Sequence, residues 1–283
     1  STGCKSQGLM PVLRVFNESS RLVHQSGKRP GSIAVYLAID HADVIDFIDM
    51  RKNHGDEDLR CRELFSGLWV CDKFMQAVQS DKMWHLFSPD TAPFLNDVYG
   101  AAYDTLYDKY VEEKRYVKEV PARELWLKLI HAQVETGTPY MLYKDAINRH
   151  SNQKNVGVVK SSNLCTEIVE VSNADNVAVC NLASLCLSKM VKRSQIDLEI
   201  DFEKIDTTVR LMVRSLDHII DRTFYPLPEA RRSNLHTRPL GIGVQGLQTL
   251  FYRLRVPFDS LKARHMNKQI FAQIFYSAWD ESA

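Results

Sequence analysis

The densest chemistry in the chain is Asn163-Leu164-Cys165-Thr166-Glu167-Ile168, followed fifteen residues after its cysteine by Val177-Ala178-Val179-Cys180-Asn181-Leu182-Ala183. In an extended backbone Asn163, Cys165 and Glu167 share one face at about 6–7 Å per two-residue step, while Leu164, Thr166 and Ile168 take the other. An amide, a thiol and a carboxylate in a row supply a hydrogen-bonding group, a sulfur able to attack or to carry a radical, and a general base. This is the make-up of a catalytic strand. A carboxylate beside a thiol raises its pKa above the free value of about 8.5, which disfavours the thiolate and points away from a papain-like hydrolase. No histidine adjoins Cys165 in sequence, which leaves His131, His150 and His236 as candidate spatial partners. The pattern also lacks the paired Cys/His spacing of zinc sites, so no metal is expected there.

Such a segment needs a scaffold, and the rest of the chain supplies one. Strand-like segments near 33–39, 140–143, 163–170 and 176–182 alternate with helical periodicity over Ala42–Met50, Leu59–Val78, Pro121–Val134, Phe202–Ile220 and Val244–Leu254, which predicts an α/β arrangement rather than a bundle. Loops are expected at Asn148–Gly157 and, punctuated by Pro226, Pro228 and Pro239, at Tyr225–Pro239. With 283 residues, 45% of them hydrophobic, the chain is long enough to bury a substantial core. Its 36 Lys and Arg nearly balance 35 Asp and Glu, so no broad field of one sign favours nucleic acid or a cationic partner. No apolar run is long enough to span a bilayer and no secretory signal opens the chain, which makes the cytoplasm the expected compartment. The chain starts at Ser1 rather than Met and ends in helical periodicity (Met266, Ile270, Phe271, Ile274, Phe275, Ala278), the pattern expected of an internal piece of a longer protein.

Other candidates carry blander readings. Cys61, Cys71 and Cys186 read as buried apolar groups, and the six cysteines show neither a dense disulfide framework nor a C-x-x-C pair. Gly241-Ile242-Gly243-Val244-Gln245-Gly246 spells the dinucleotide fingerprint, but no clear strand precedes it and no acidic residue follows at the required distance, so it reads as a tight loop opening the next helix. Lys28 and Arg29, between Gly27 and Gly31, read either as solvated charges or as a phosphate-facing loop.

Four segments together resemble the large, catalytic subunit of class I ribonucleotide reductase: Lys160–Ile168, Ala178–Ser184, Glu135-Thr136-Gly137-Thr138-Pro139-Tyr140-Met141 and Arg238–Leu247. They occur in the family's order, and the similarity runs from about Gly8 to Ala283. The resemblance implies a ten-stranded α/β barrel of two five-stranded halves, with the radical cysteine on a central finger loop; residues 163–168 then need not belong to a regular strand. The whole of 1–283 would be a portion of that catalytic barrel, without the N-terminal regulatory domain or the C-terminal tail. Cys165 matches the cysteine that becomes a thiyl radical and removes the ribose 3′-hydrogen. Glu167 matches the base for the 3′-hydroxyl proton, and Asn163 the amide that hydrogen-bonds the sugar. Residues Asn163, Leu164, Cys165, Thr166 and Glu167 would contact substrate. A thiol held protonated suits hydrogen-atom transfer, which needs no thiolate.

By the same resemblance Cys180 is one of two cysteines that supply reducing equivalents and become a disulfide. Its partner lies upstream of this chain, and Cys4, in the wrong segment, is not a substitute. Gln25, Lys28, Arg29, Pro30 and Gly31 match the loop that links effector nucleotide to substrate base, one residue shorter than usual, and Asp40 stands before His41 where a tryptophan is common. The implied reaction reduces ribonucleoside diphosphates to 2′-deoxyribonucleotides. It implies no cofactor bound in this chain, a radical from a metal-containing small subunit, ATP and dNTP effectors, a second large subunit, and a thioredoxin- or glutaredoxin-type reductant. The alternative is a catalytically silent homologue serving as scaffold or nucleotide sensor. The isolated segment is expected to be inactive.

Overall fold

A computed structural model describes residues 7–25, 27–194 and 197–283. The chain divides into two compact units, Ser1–Ser172 and Asn173–Ala283.

In the first unit, helix α1 (Met10–Leu22) leads into a two-rung antiparallel hairpin, β1 (His24–Gln25) with β2 (Arg29–Pro30), and then into β3 (Ile33–Ala38). Helix α2 (Val44–Asp49) precedes β4 (Leu64–Val70) and α3 (Asp72–Gln79). An antiparallel pair, β5 (Met83–Leu86) and β6 (Lys118–Pro121), brackets α4 (Ala101–Glu112). The unit continues with α5 (Ala122–Thr136), β7 (Tyr140–Tyr143) and α6 (Lys144–His150).

Strands β3, β4 and β7 form a parallel sheet in that order. Alternation sorts its side chains. Val35, Leu37, Leu64, Leu68, Val70 and Met141 pack into the main core with the buried faces of α2, α3 and α5. The opposite face presents two rows in register, Tyr36-Gly67-Tyr140 and Ala38-Trp69-Leu142. Trp69 and Leu142 of that face pack with Val159 and Val171, the two ends of the cysteine segment. The sheet thus buries one face under helices and gives the other to the loop.

At the carboxyl ends of these strands lies a buried polar cluster. Asp40 follows β3, Cys71 follows β4 and Lys144 follows β7, all nearly inaccessible. The Tyr103 hydroxyl of α4 donates to Asp40 Oδ2 at 2.6 Å, while Lys144 Nζ donates to the Leu95 carbonyl at 2.9 Å and lies 4.5 Å from the Tyr103 ring centroid. Burial drives the Cys71 thiol up to about 12 and the Tyr103 phenol upward, and it lowers Lys144. Asp145 accepts the Asp72 N–H at 2.6 Å and the Gly100 N–H at 2.5 Å, tying the start of α3 to that of α4.

In the second unit, β8 (Leu182–Cys186) is followed by an antiparallel pair, β9 (Val191–Arg193) and β10 (Leu198–Ile200), then α7 (Phe202–Arg222) and α8 (Pro228–Thr237). Strand β11 (Gly241–Gln245) pairs parallel with β8, and α9 (Leu247–Arg253) and α10 (Leu261–Ser282) complete the unit. The Asp201 side chain caps α7 at the Lys204 N–H, and Ser260 caps α10 at the Ala263 N–H. Helix α7 buries Ile205, Val209, Val213, Leu216 and Ile220, a helical stripe. Ile205 and Val209 pack with Leu185, Leu250, Phe251, Ile270 and Ile274.

The α/β class holds, as do the strands near 33–39 and 140–143 and the helices near 42–50, 121–134 and 202–220. Four expectations are corrected. Leu59–Val78 is not one helix, because β4 occupies Leu64–Val70. Residues 163–170 and most of 176–182 are not strands. Tyr225–Pro239 contains α8, with Pro228 in its first turn where a missing N–H costs nothing. Gly241–Gln245 is strand rather than loop, though Gly246 (φ 77°) does turn the chain into α9. Each described sheet is open, with two or three strands.

Candidate active site

The cysteine loop is pinned at both roots. Buried Asn148, on α6, accepts the Val159 N–H at 2.8 Å and donates to the carbonyls of Val159 and Lys144, both at 3.0 Å. At the other root the Val171 N–H donates to Gln153 Oε1 at 2.7 Å. Lys160 also pairs with Asp97.

Between those roots the backbone turns at Leu164 and Cys165, and Thr166 adopts φ 70°. A left-handed conformation at a β-branched residue breaks strand alternation, so the shared face expected from an extended segment does not form. Asn163 closes the turn instead, its Oδ1 accepting the Ile168 N–H at 3.1 Å, and the Ser162 hydroxyl donates to the Ile168 carbonyl. Asn163, Leu164 and Thr166 are half-buried, whereas Cys165 and Glu167 are exposed. The loop therefore turns its thiol and its carboxylate outward while the amide oxygen holds the turn.

Below the loop, the Tyr36 hydroxyl of β3 donates to the Asn163 carbonyl at 2.6 Å. Burial raises the Tyr36 phenol, partly offset by the Ser162 hydroxyl, and Tyr140, Glu167 and Cys165 add to the rise. The phenol thus stays a donor. The ring fits only because its neighbour across the sheet is Gly67, where a Cβ would fall 2.4 Å from Tyr36 Cε1. Close by in sequence, burial lifts the Glu170 carboxyl to about 7.

Cys180 belongs to the second unit and is exposed. Its neighbour Asn181 is buried, donating to Asn234 Oδ1 at 2.6 Å and to the Pro239 carbonyl at 2.9 Å. Asn234, fully buried in α8, also donates to the Tyr225 hydroxyl at 2.5 Å. Upstream, the Arg232 guanidinium reaches the Asp175 carbonyl at 3.0 Å. These contacts fasten the Cys180 segment to α8.

The basic loop is the β1–β2 hairpin, with Gln25 opposite Arg29. Gly31 closes it, its N–H donating to the Val23 carbonyl at 2.9 Å, and a Cβ there would fall 2.2 Å from that oxygen. Lys28 and Pro30 are exposed. Ser26, Cys4 and the side chains of Gln25 and Arg29 lie outside the described residues. Cys61 and Cys71 are buried as expected; Cys186 is corrected to half-buried, its sulfur 3.3 Å from the Ser188 hydroxyl. No disulfide joins the described cysteines. Sequence reasoning missed Tyr36, Gly67, Asn148 and Asn234, because each meets its partner across a gap in sequence that no local motif spans.

A parallel sheet whose free face seats a cysteine-bearing loop defines an α/β domain organised around a thiol and a carboxylate. The family described as ribonucleotide reductase, barrel domain, matches residues 1–283, and the chain belongs to that family. It is 50% identical over 282 residues to the ribonucleoside-diphosphate reductase large chain of Schizosaccharomyces pombe, covering 99% of this chain and 34% of that protein. The large chain of Cryptosporidium parvum is 48% identical, over 99% of this chain and 35% of its own length. The variola virus large subunit is also 48% identical, over 99% of this chain and 36% of its own length. The chain spans about a third of the length of these relatives.

Proposed function

We propose that this chain is the catalytic core of a ribonucleoside-diphosphate reductase large subunit, acting in the cytoplasm. The observation that carries the reading is the pinned loop, which turns Cys165 and Glu167 outward on either side of a left-handed Thr166. In this reading the parallel sheets are wall segments of a ten-stranded barrel of two five-stranded halves, and 160–170 is its finger loop. The Cys165 sulfur, as a thiyl radical, takes the 3′-hydrogen of the ribose and becomes a thiol. Glu167 accepts the 3′-hydroxyl proton, and the Asn163 amide bonds the sugar. With Asn163 Oδ1 engaged by Ile168, Nδ2 is the atom offered to the sugar hydroxyls. Backbone and side chains from Asn163 to Glu167 line the substrate.

Two thiols, Cys180 and a cysteine outside this chain, deliver two electrons and two hydrogens. They end as a disulfide while the 2′-hydroxyl leaves as water. A thioredoxin- or glutaredoxin-type dithiol restores them. The radical comes from a metal-containing small subunit. A second large subunit is the further partner, supported by the apolar surface that Val12, Val15 and Phe16 expose on α1. ATP and dNTPs act as effectors through the hairpin of Gln25, Lys28, Arg29, Pro30 and Gly31.

The test is deoxynucleoside diphosphate formation by the full-length protein with its radical-loaded small subunit and a dithiol. Turnover by wild type and none by Cys165→Ser is expected. Turnover by Cys165→Ser, or none by wild type, overturns the reading.

A further inference from the structure

Tyr36 lies 127 residues from Asn163 in sequence, yet its hydroxyl donates from β3 to the turn that carries the thiol, at 2.6 Å to the Asn163 carbonyl. Three observations show a seat built for that bond. Gly67 faces Tyr36 across the sheet and leaves room for its ring, where a Cβ would come within 2.4 Å of Cε1. On the other side of Gly67 stands Tyr140, so the Tyr36 ring lies over the glycine in a row closed at its far end by a second aromatic residue. The Ser162 hydroxyl adjoins the phenol and is itself bonded to Ile168, so the hydroxyl of Tyr36 meets the turn where its two arms close.

We propose that Tyr36 is a positioning residue for the thiol chemistry: through the Asn163 carbonyl it sets the height and orientation of the turn, and so the placement of Cys165 relative to the sugar. The proposal rests on the reductase reading above. Tyr36 forms no bond with substrate and transfers neither electron nor proton. Its contribution is geometric, and small misplacement of reacting groups is costly in rate. The same residue's side chain accepts the Ile168 N–H, so the phenol holds the backbone of the residue whose amide closes the turn.

The experiment is Tyr36→Phe in the full-length protein, assayed with its small subunit beside wild type and Cys165→Ser. The ring, and therefore the packing on Gly67, is kept, and thermal unfolding is measured on the same samples. One hydrogen bond of about 1–1.5 kcal/mol corresponds to roughly a five- to tenfold change. We expect kcat to fall five- to tenfold, KM to stay within twofold, and the unfolding midpoint to move little. A group with a purely structural role would instead lower the folded fraction and leave kcat per folded molecule unchanged. Wild-type kcat in Tyr36→Phe, a loss confined to KM, or a fall matched by lost folded protein overturns the proposal. Activity in Cys165→Ser overturns the reductase reading instead, so the two failures are distinguishable.

Discussion

Replacing Asn148 by alanine removes the clamp at the root of the cysteine loop. Asn148 is 2% exposed and Val159 is fully buried, so no solvent reaches the groups that the carboxamide leaves behind. The Val159 N–H loses an acceptor at 2.8 Å, and its carbonyl loses a donor at 3.0 Å. Each buried unpaired group costs about 1–3 kcal/mol, and partial collapse recovers some of the sum, which leaves about 2–4 kcal/mol. Because the α6 carbonyl of Lys144 also loses its contact, the loss falls on the loop root and the helix beside it. Hydrogen exchange reads this directly: protection at Val159 should fall roughly 30- to 1000-fold in Asn148→Ala. The exposed neighbour Asn152, replaced by alanine, should leave protection within a factor of about two. Wild-type protection at Val159 in Asn148→Ala would refute the clamp.

Glu170 predicts a pH dependence. Its pKa is raised from 4.5 to about 7 by burial, so the folded protein holds a proton that the unfolded chain releases. The stability it lends is present below about 4.5 and lost as pH rises through 7. Glu170→Gln, neutral throughout, should therefore gain on wild type by about 1–3 kcal/mol between pH 5 and pH 8, the range discounted for partial exposure; parallel stability curves would contradict it. Tyr103→Phe strips the buried Asp40 carboxylate of its donor and should lower the denaturation midpoint by about 1–3 kcal/mol equivalent at unchanged m value. Asn234→Ala breaks the network beneath Cys180 and should raise hydrogen exchange across 177–181 while leaving 159–171 unchanged; equal protection at 177–181 would count against it.

How legible this was in the sequence differs by element. Strands β3 and β7 and the long helix α7 were readable because β-formers cluster in the first two and a helical stripe runs through the third. Strand β4 was not, because Leu64-Phe65-Ser66-Gly67-Leu68-Trp69-Val70 is buried on both faces and loses the alternation that marks a strand. Gly241-Ile242-Gly243 reads as a turn by composition, and only its pairing with β8 makes it extended. For the candidate site, residue types singled out Asn163, Cys165, Glu167 and Cys180 as expectations, but the conformation of the turn that carries the first three was hidden. Thr166 at positive φ is a tertiary outcome, held by Asn163, Ser162 and the phenol of a distant strand. Asp40, which stands where the resemblance leads one to expect tryptophan, is partnered by Tyr103.

The most direct test of the account is a reductant-free turnover. Pre-reduced full-length protein is mixed with radical-loaded small subunit and ribonucleoside diphosphate, with no external dithiol, and product is counted while the cysteines are mapped. The account predicts deoxynucleotide formation accompanied by entry of Cys180 into a disulfide, and neither event in Cys165→Ser. Product formed by Cys165→Ser, or product formed by wild type with Cys180 still a thiol, would contradict it.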